Sequence, residues 1–572
     1  MKKVIEYMRP SFGLLFLGIT IKFVGALMDL FLPWVLSHLI DEVVPLNSMK
    51  LIAFWGGVMF LCALTALVTN IIANRMAAKV ARNTTERLRH ELFSKILYLS
   101  SSQIDEMTIP SLELRLTSDT YHVHRMITMM QRMGIRAPIL LIGGIAITLT
   151  LDPVLTAVLI CTLPFISLLV LTVTRKGFPM YKELQKKTDY MVRVVRENIA
   201  GVRVIKALSK TEHEKTRFHT ANQEVVNMEK KAGYTMSLTS PIMNLLLNTG
   251  LTLVILVGAY RVNSGVTEPG KIIAFMSYFT IILTAMMAVT RIFVMYSRGS
   301  ASASRIEEVL NMPIELTPVE KETVHEEEHI VFDHVNFSYQ KKENNLTDIS
   351  FKLKRGETLG ILGATGSGKS TIIHLLLRLY DVDSGEIRIS GKPVQSLTPE
   401  ELHTKFGIVF QNDFVVAESV RENIAFGRTL SDEQIESASQ NAQAYEFISG
   451  LDDKFDHMVA ARGNNLSGGQ KQRLLIARAL ASHPEILILD DSSSALDYKT
   501  DANLRKVLNE KYSDITTIII AQRISSLMHA DHIIILEDGE ILGQGKHQEL
   551  LESCDLYRMI SENQMGGEVH AA

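Results

Sequence analysis

The stretch Gly363-Ala364-Thr365-Gly366-Ser367-Gly368-Lys369-Ser370 decides the reading of this chain. It fits the pattern G-x-x-x-x-G-K-[ST] at every fixed position. The apolar run Thr358–Leu362 before it reads as a strand, and Thr371–Leu379 after it reads as a helix. Strand, glycine-rich loop and helix in that order make a phosphate cradle. The glycines let successive backbone N–H groups turn inward, and the helix points its positive end at the same anion. Lys369 is placed to reach the β- and γ-phosphates, and the Ser370 hydroxyl to hold Mg²⁺.

Two further patterns lie downstream. Leu466-Ser467-Gly468-Gly469-Gln470 comes first, and the apolar run Ile486-Leu487-Ile488-Leu489 ends in Asp490. A strand that ends in Asp puts a carboxylate where it holds Mg²⁺, directly or through water. With LSGGQ between the two phosphate-site motifs, the chain resembles the ATP-binding-cassette (ABC) family. The resemblance implies ATP held by Gly363, Thr365, Gly366, Ser367, Gly368, Lys369, Ser370 and Thr371, with Tyr339 stacked on the adenine. It implies Mg²⁺ held by Ser370, Asp490 and Gln411, the last being the Q-loop position in Val409-Phe410-Gln411-Asn412. Ser494-Ala495-Leu496-Asp497 matches the family's D-loop, and Arg462-Gly463 lies in the loop that touches the membrane domain.

At 572 residues the chain exceeds one domain, and its 47% hydrophobic content is unevenly spread. Six segments suffice to span a bilayer, near Phe12–Leu39, Leu51–Ala73, Ile135–Leu151, Val154–Val173, Ile242–Tyr260 and Ile272–Val294. The third is the shortest, and Asp152-Pro153 joins it to the fourth by a very tight turn. The long connections, residues 74–134 and 174–241, are rich in Lys and Arg, among them Arg75, Lys79, Arg82, Lys182 and Lys186. The positive-inside rule places them in the cytosol. They carry helical periodicity and few breakers, so the spanning helices are expected to run on beyond the membrane. Roughly thirty extra residues reach about 45 Å.

This resembles the ABC exporter fold of the multidrug type (type IV), a six-helix polytopic membrane domain with long intracellular helical extensions, domain-swapped, fused to an α/β P-loop domain. Leu114–Asp119 matches its first coupling region and Arg196–Lys206 its second. Asn311–His329, with Pro313, Pro318 and Glu326-Glu327-Glu328, reads as a linker. The expected domains are residues 1–310 (membrane), 311–329 (linker) and 330–572 (nucleotide-binding). The resemblance implies a multi-pass protein of the cell membrane with its nucleotide-binding domain in the cytosol.

The three cysteines, Cys62, Cys161 and Cys554, have no metal spacing and imply no disulfide framework. A net charge of −3 gives no sign of a nucleic-acid partner. The start, Met1-Lys2-Lys3, is basic without a cleavage site, and the first apolar segment is too long for a signal peptide, so it is expected to stay as a helix.

Two positions depart from the family's pattern. Where the family has a Glu after the metal-binding Asp, this chain has Asp491, one methylene shorter and so set back by about 1.5 Å. Where it has a His at the γ-phosphate, this chain has Gln522, whose amide donates a hydrogen bond but carries no charge. Its own ATP site is therefore expected to bind ATP and hydrolyse it poorly. ABC domains pair head to tail, so the intact Ser467, Gly468, Gly469 and Gln470 are expected to complete the site of a partner half-transporter. The overall expectation is one half of a heterodimeric multidrug exporter of apolar or amphipathic compounds. Lipid flipping, peptide export, a homodimer with two slow sites and a mainly regulatory ATP-binding subunit stay open.

Inside the membrane half, Lys22 and Asp29 lie on one helix face, which suits either a cavity or ordinary snorkelling and hydrogen bonding. Phe275, Met276, Tyr278, Phe279, Met286 and Met287 suit a promiscuous pocket or simple packing.

Overall fold

The computed structural model describes residues 1–339, 341, 343–411, 414–492 and 496–565. The chain divides into two compact units. The first is Met1–Leu97 with Pro110–Met312; the second is Tyr98–Ile109 with the chain from Pro313 onward.

Among the described residues, the first unit holds six helical spans long and apolar enough to cross a membrane: Lys2–Leu46, Met49–Leu97, Ile109–Leu151, Pro153–Ala200, Thr211–Asn263 and Pro269–Leu310. Each runs far beyond the length a bilayer needs, as the helical period of the basic connections predicts. Phe16, Phe54, Phe60, Phe165 and Leu168 are exposed, as apolar side chains of a span can be where hydrocarbon replaces water. The core is built from small and branched residues of several spans, among them Ala26, Leu30, Leu140, Leu159, Ile282 and Leu283. Tyr278 closes it by donating its hydroxyl to the Leu30 carbonyl at 2.6 Å. Phe275, Tyr278 and Phe279 are fully buried, so these aromatics of the sixth span are packing residues.

The turn between the third and fourth spans is a single residue. Asp152 leaves the helical region at φ −159°, and its carboxylate accepts from the backbone N–H groups of Val154 and Leu155. Pro153 follows at the first helical position, where a missing N–H costs nothing. Arg261, near the end of the fifth span, donates to the same carboxylate at 3.0 Å.

The third span is not one rod. Helix Thr120–Arg132 stops, and helix Arg136–Leu151 restarts after Met133–Ile135. Gly134 sits in the break, where a Cβ would lie 2.4 Å from the Met130 carbonyl oxygen. Just before it, Leu114–Asp119 is a helix end and a π-turn within the first unit, held by Arg115–Glu308 at 2.8 Å and by Asp119 with Arg305. The piece of this region that falls in the second unit is therefore about a turn or more earlier, the helix Ser101–Met107. It is anchored there by Ser100 on Glu315 (2.6 Å) and Gln103 on the Pro313 carbonyl (3.0 Å). Arg196–Lys206 spans the end of the long helix Pro153–Ala200, a break at Gly201 and the short helix Val202–Ala207.

The second unit holds two sheets. Strands β1 (Ile330–Phe337), β2 (Leu346–Leu353), β4 (Ser384–Ile389) and β5 (Lys392–Pro393) form an antiparallel sheet in the order β2-β1-β4-β5. The other sheet adds β3 (Thr358–Gly363), β6 (Phe406–Val409), β7 (Ile486–Asp490), β8 (Thr516–Ile520), β9 (His532–Glu537) and β10 (Glu540–Gly545), in the order β10-β9-β3-β8-β7-β6. Its pairs are parallel except β9–β10. Every residue of β7 is buried, as a strand covered on both faces demands. β8 lies between β3 and β7, so the carboxyl ends of all three come to one edge. That edge is where open parallel sheets bind ligands.

Candidate functional site

At this edge β3 runs into the glycine-rich loop, and helix Lys369–Leu376 leaves it. Gly368 takes φ +100°, a left-handed conformation that favours glycine, and a Cβ there would also lie 3.0 Å from the Asn345 carbonyl oxygen. The Lys369 ammonium folds along the loop, donating to the carbonyls of Gly363 (2.9 Å) and Ala364 (2.6 Å). Burial lowers its pKa, and Asp490 and Asp491 work against that shift.

A cavity of about 320 Å³ opens over the loop. Its walls bring together Tyr339, Thr365, Gly366, Gly368, Lys369, Ser370, Thr371, Gln411, Asp490, Asp491 and Gln522. Gly363 and Ser367 lie beneath: a Cβ on Gly363 would meet the Ser367 hydroxyl at 2.6 Å. Ser370 Oγ donates to Asp490 Oδ2 at 3.1 Å, so the hydroxyl and carboxylate expected around Mg²⁺ already converge. With Gln411 they form an all-oxygen donor set, which suits a hard cation. Burial raises the pKa of Asp490, the Ser370 hydrogen bond lowers it, and nearby Asp491 raises it further. A bound cation would offset the burial cost.

Asp491 stands just past β7 at φ +48°, an uncommon conformation for any residue but glycine. Its N–H donates to the Ile520 carbonyl at 2.9 Å, which fixes the turn. Two neutral amides address its carboxylate. Gln522 Nε2 donates at 3.4 Å, and Gln411 also hydrogen-bonds it. Burial raises its pKa; the Gln411 hydrogen bond, Lys369 and Arg523 lower it.

Tyr339 stands at the cavity mouth. Its hydroxyl lies 3.2 Å from Thr371 Oγ1 and 3.1 Å from His374 Nδ1, and its ring stands edge-on to Tyr380. Tyr380 in turn donates to Asp105 at 2.5 Å, in the segment Tyr98–Ile109. Asn345 is a lining residue that sequence reasoning missed; its Oδ1 accepts from the Tyr339 N–H at 3.0 Å. Its signal was faint: one Asn ahead of a strand, in no motif.

Ser467, Gly468, Gly469 and Gln470 are not among the lining residues. They open helix Gly468–Leu480 with a capping box, in which Ser467 Oγ accepts from the Gln470 N–H and Gln470 Oε1 accepts from the Ser467 N–H. Such a helix start offers N–H groups and a positive dipole end to an anion. Of the D-loop match, Ser494 and Ala495 lie outside the described residues, as does Asn412 beside Gln411.

Comparison with known proteins covers both halves of the chain. A family described as ABC transporter transmembrane region matches residues 15–286, and one described as ABC transporter matches residues 346–494. The chain is 36% identical to the ABC transporter ATP-binding protein YfiB of Bacillus subtilis (strain 168), over 99% of this chain and 99% of that protein. It is 32% identical to YknU of the same strain, over 93% and 92%. Its fold is similar to that of a bacterial Atm1-family ABC exporter with ATP bound, with a TM-score of 0.81 and 22% identity, covering 98% of this chain and 99% of that one.

Proposed function

The chain belongs to the ABC transporter family, with membrane and ATP-binding parts on one polypeptide, and we propose that it is an ATP-driven exporter working as the weakly hydrolysing half of a heterodimer. In this reading it exports apolar or amphipathic compounds across the cell membrane, with its ATP-binding unit in the cytosol. The observation that carries the proposal is the pairing of Asp491 with Gln522 beside Lys369. The carboxylate is short for a base that must reach an attacking water, and the amide beside it supplies no charge. The chain's own site would hold Mg²⁺ through Ser370, Asp490 and Gln411, which neutralises charge on the β- and γ-phosphates. Tyr339 and the loop residues would bind ATP there as a clamp. The capping box at Ser467 would close over a second ATP held by a partner half-transporter, whose own residues perform the hydrolysis.

The test is ATPase activity in proteoliposomes. The chain alone is expected to show little turnover, and co-expression with a partner half-transporter to restore it. Robust turnover by the lone chain that Lys369→Ala abolishes would refute the heterodimer reading. Equal ATPase without any export would favour a regulatory subunit.

A further inference from the structure

The first unit contains a cavity of about 400 Å³, the size of a small-ligand site. Lys22 of the first span and Arg132 and Arg136 of the third all line it. No Asp or Glu is among the lining residues described. The nearest compensating charge is Asp29, which accepts from Arg136 at 2.8 Å. Three cations thus face one carboxylate.

Among the described residues, the other two cations have only neutral hydrogen-bond partners. Lys22 is almost fully buried, and its ammonium donates to the amide oxygens of Asn70 (2.8 Å) and Asn74 (3.1 Å). Arg132 donates weakly to the Asn74 carbonyl at 3.4 Å, and its Nε is buried without a hydrogen-bond partner. Uncompensated cations buried in a helical bundle are costly, and they persist where they meet a ligand or line a water-filled path. The break at Gly134 places the two arginines at the end of one helix and the start of the next. The remaining wall is apolar or weakly polar, including Met129, Met133, Leu140, Ile281 and Ala285. An apolar wall with a cationic end fits one ligand chemistry.

We infer that this cavity receives an anionic amphipath, a carboxylate or phosphate on an apolar body, with its acid group between Lys22, Arg132 and Arg136. The inference rests on the export reading above and names its substrate class. The acid group gains charge-assisted hydrogen bonds from Arg132 and Lys22 without breaking the Asp29–Arg136 pair. Two sources share this chemistry, an anionic lipid of the bilayer and a soluble amphipathic acid.

The test is direct binding to the full chain in dodecyl-maltoside micelles, read by fluorescence of dansyl-undecanoic acid and of its uncharged methyl ester. The acid is expected to bind about tenfold or more tightly than the ester. Arg132→Gln is expected to remove most of that preference while leaving ester binding unchanged. Arg132→Lys, which keeps the charge, is expected to retain much of it and so exclude simple misfolding. In nanodiscs, phosphatidylglycerol that displaces the acid assigns the site to lipid, and lack of displacement assigns it to a soluble acid. Equal binding of acid and ester, no binding of either, or an Arg132→Gln effect that falls on both alike would overturn the inference. ATP-driven export that ignores the probe's charge would remove this inference and leave the transport reading. Charge-selective binding without ATP-driven export would do the reverse.

Discussion

Asp491 combines two properties that one side chain rarely has to reconcile. Its backbone is left-handed, which Asp tolerates better than most residues, and its carboxylate must act at a distance. Asp491→Glu with Gln522→His restores carboxylate reach and a chargeable γ-phosphate contact. Hydrolysis at this chain's own site is expected to rise by part of the ~10²–10⁴-fold that a positioned base contributes. Single-turnover phosphate release with the partner's site disabled measures it; an unchanged rate would mean that these two residues do not limit hydrolysis. At this scale the site was largely legible, because Lys369, Ser370, Asp490 and Gln411 sit in motifs whose spacing reflects their chemistry. What could not be read was how they meet. The Lys369 fold-back onto two loop carbonyls is set by the local course of the loop, and the approach of Gln522 to Asp491 depends on β8 pairing beside β7. Asn345 escaped for the same reason, since its role comes from contact with Tyr339 and not from any pattern.

Among the elements, the hairpin at Asp152 shows one residue acting as helix cap and ion-pair partner. Asp152→Ala removes the acceptor for two N–H groups and leaves Arg261 without this carboxylate. A loss of about 2 kcal/mol is expected, at the upper end for a helix cap. Asp152→Asn keeps an acceptor and is expected to cost less. Thermal unfolding of the full chain in detergent, comparing the two variants, checks the order; equal stability of Ala and wild type would refute the double role. The spans themselves were legible from apolar runs, and the tight turn from the Asp-Pro pair. The break at Gly134 was not, because its cause is a backbone approach invisible in composition. Nor was the placing of Ser101–Met107 in the second unit, which rests on separate anchors: Asp105 on Tyr380, Ser100 on Glu315 and Gln103 on Pro313. Leu114–Asp119 drew attention as a match to the first coupling region, and its charged residues pair with Arg305 and Glu308 inside the first unit.

For the whole molecule, the proposed asymmetry gives an ordering of defects. Ser467→Ala and Gly469→Asp strike the capping-box helix start proposed to serve the partner's ATP, and Gly469→Asp sets a carboxylate against phosphate. Both are expected to reduce export of the proposed amphipathic substrate and phosphate release more than Lys369→Ala, which weakens a site proposed to hydrolyse little. Positioned donors matter most where charge builds in the transition state, by about 10²–10³-fold for a single lost donor. If Lys369→Ala proves inactive while Gly469→Asp keeps most activity, the asymmetry runs the other way. The second span adds a mechanical constraint. Met49–Leu97 is one helix of 49 residues with no proline, roughly 73 Å from end to end. The fourth span carries Pro164 and Pro179, and the third is broken at Gly134. If the rod stays straight, a tilt of only about 5° at its Met49 end sweeps Leu97 through about 6 Å. As a straight rod the second span would act as a lever arm: small rearrangements near one end would become displacements of atomic-contact size at the other, which the third span, broken at Gly134, would not transmit in the same way.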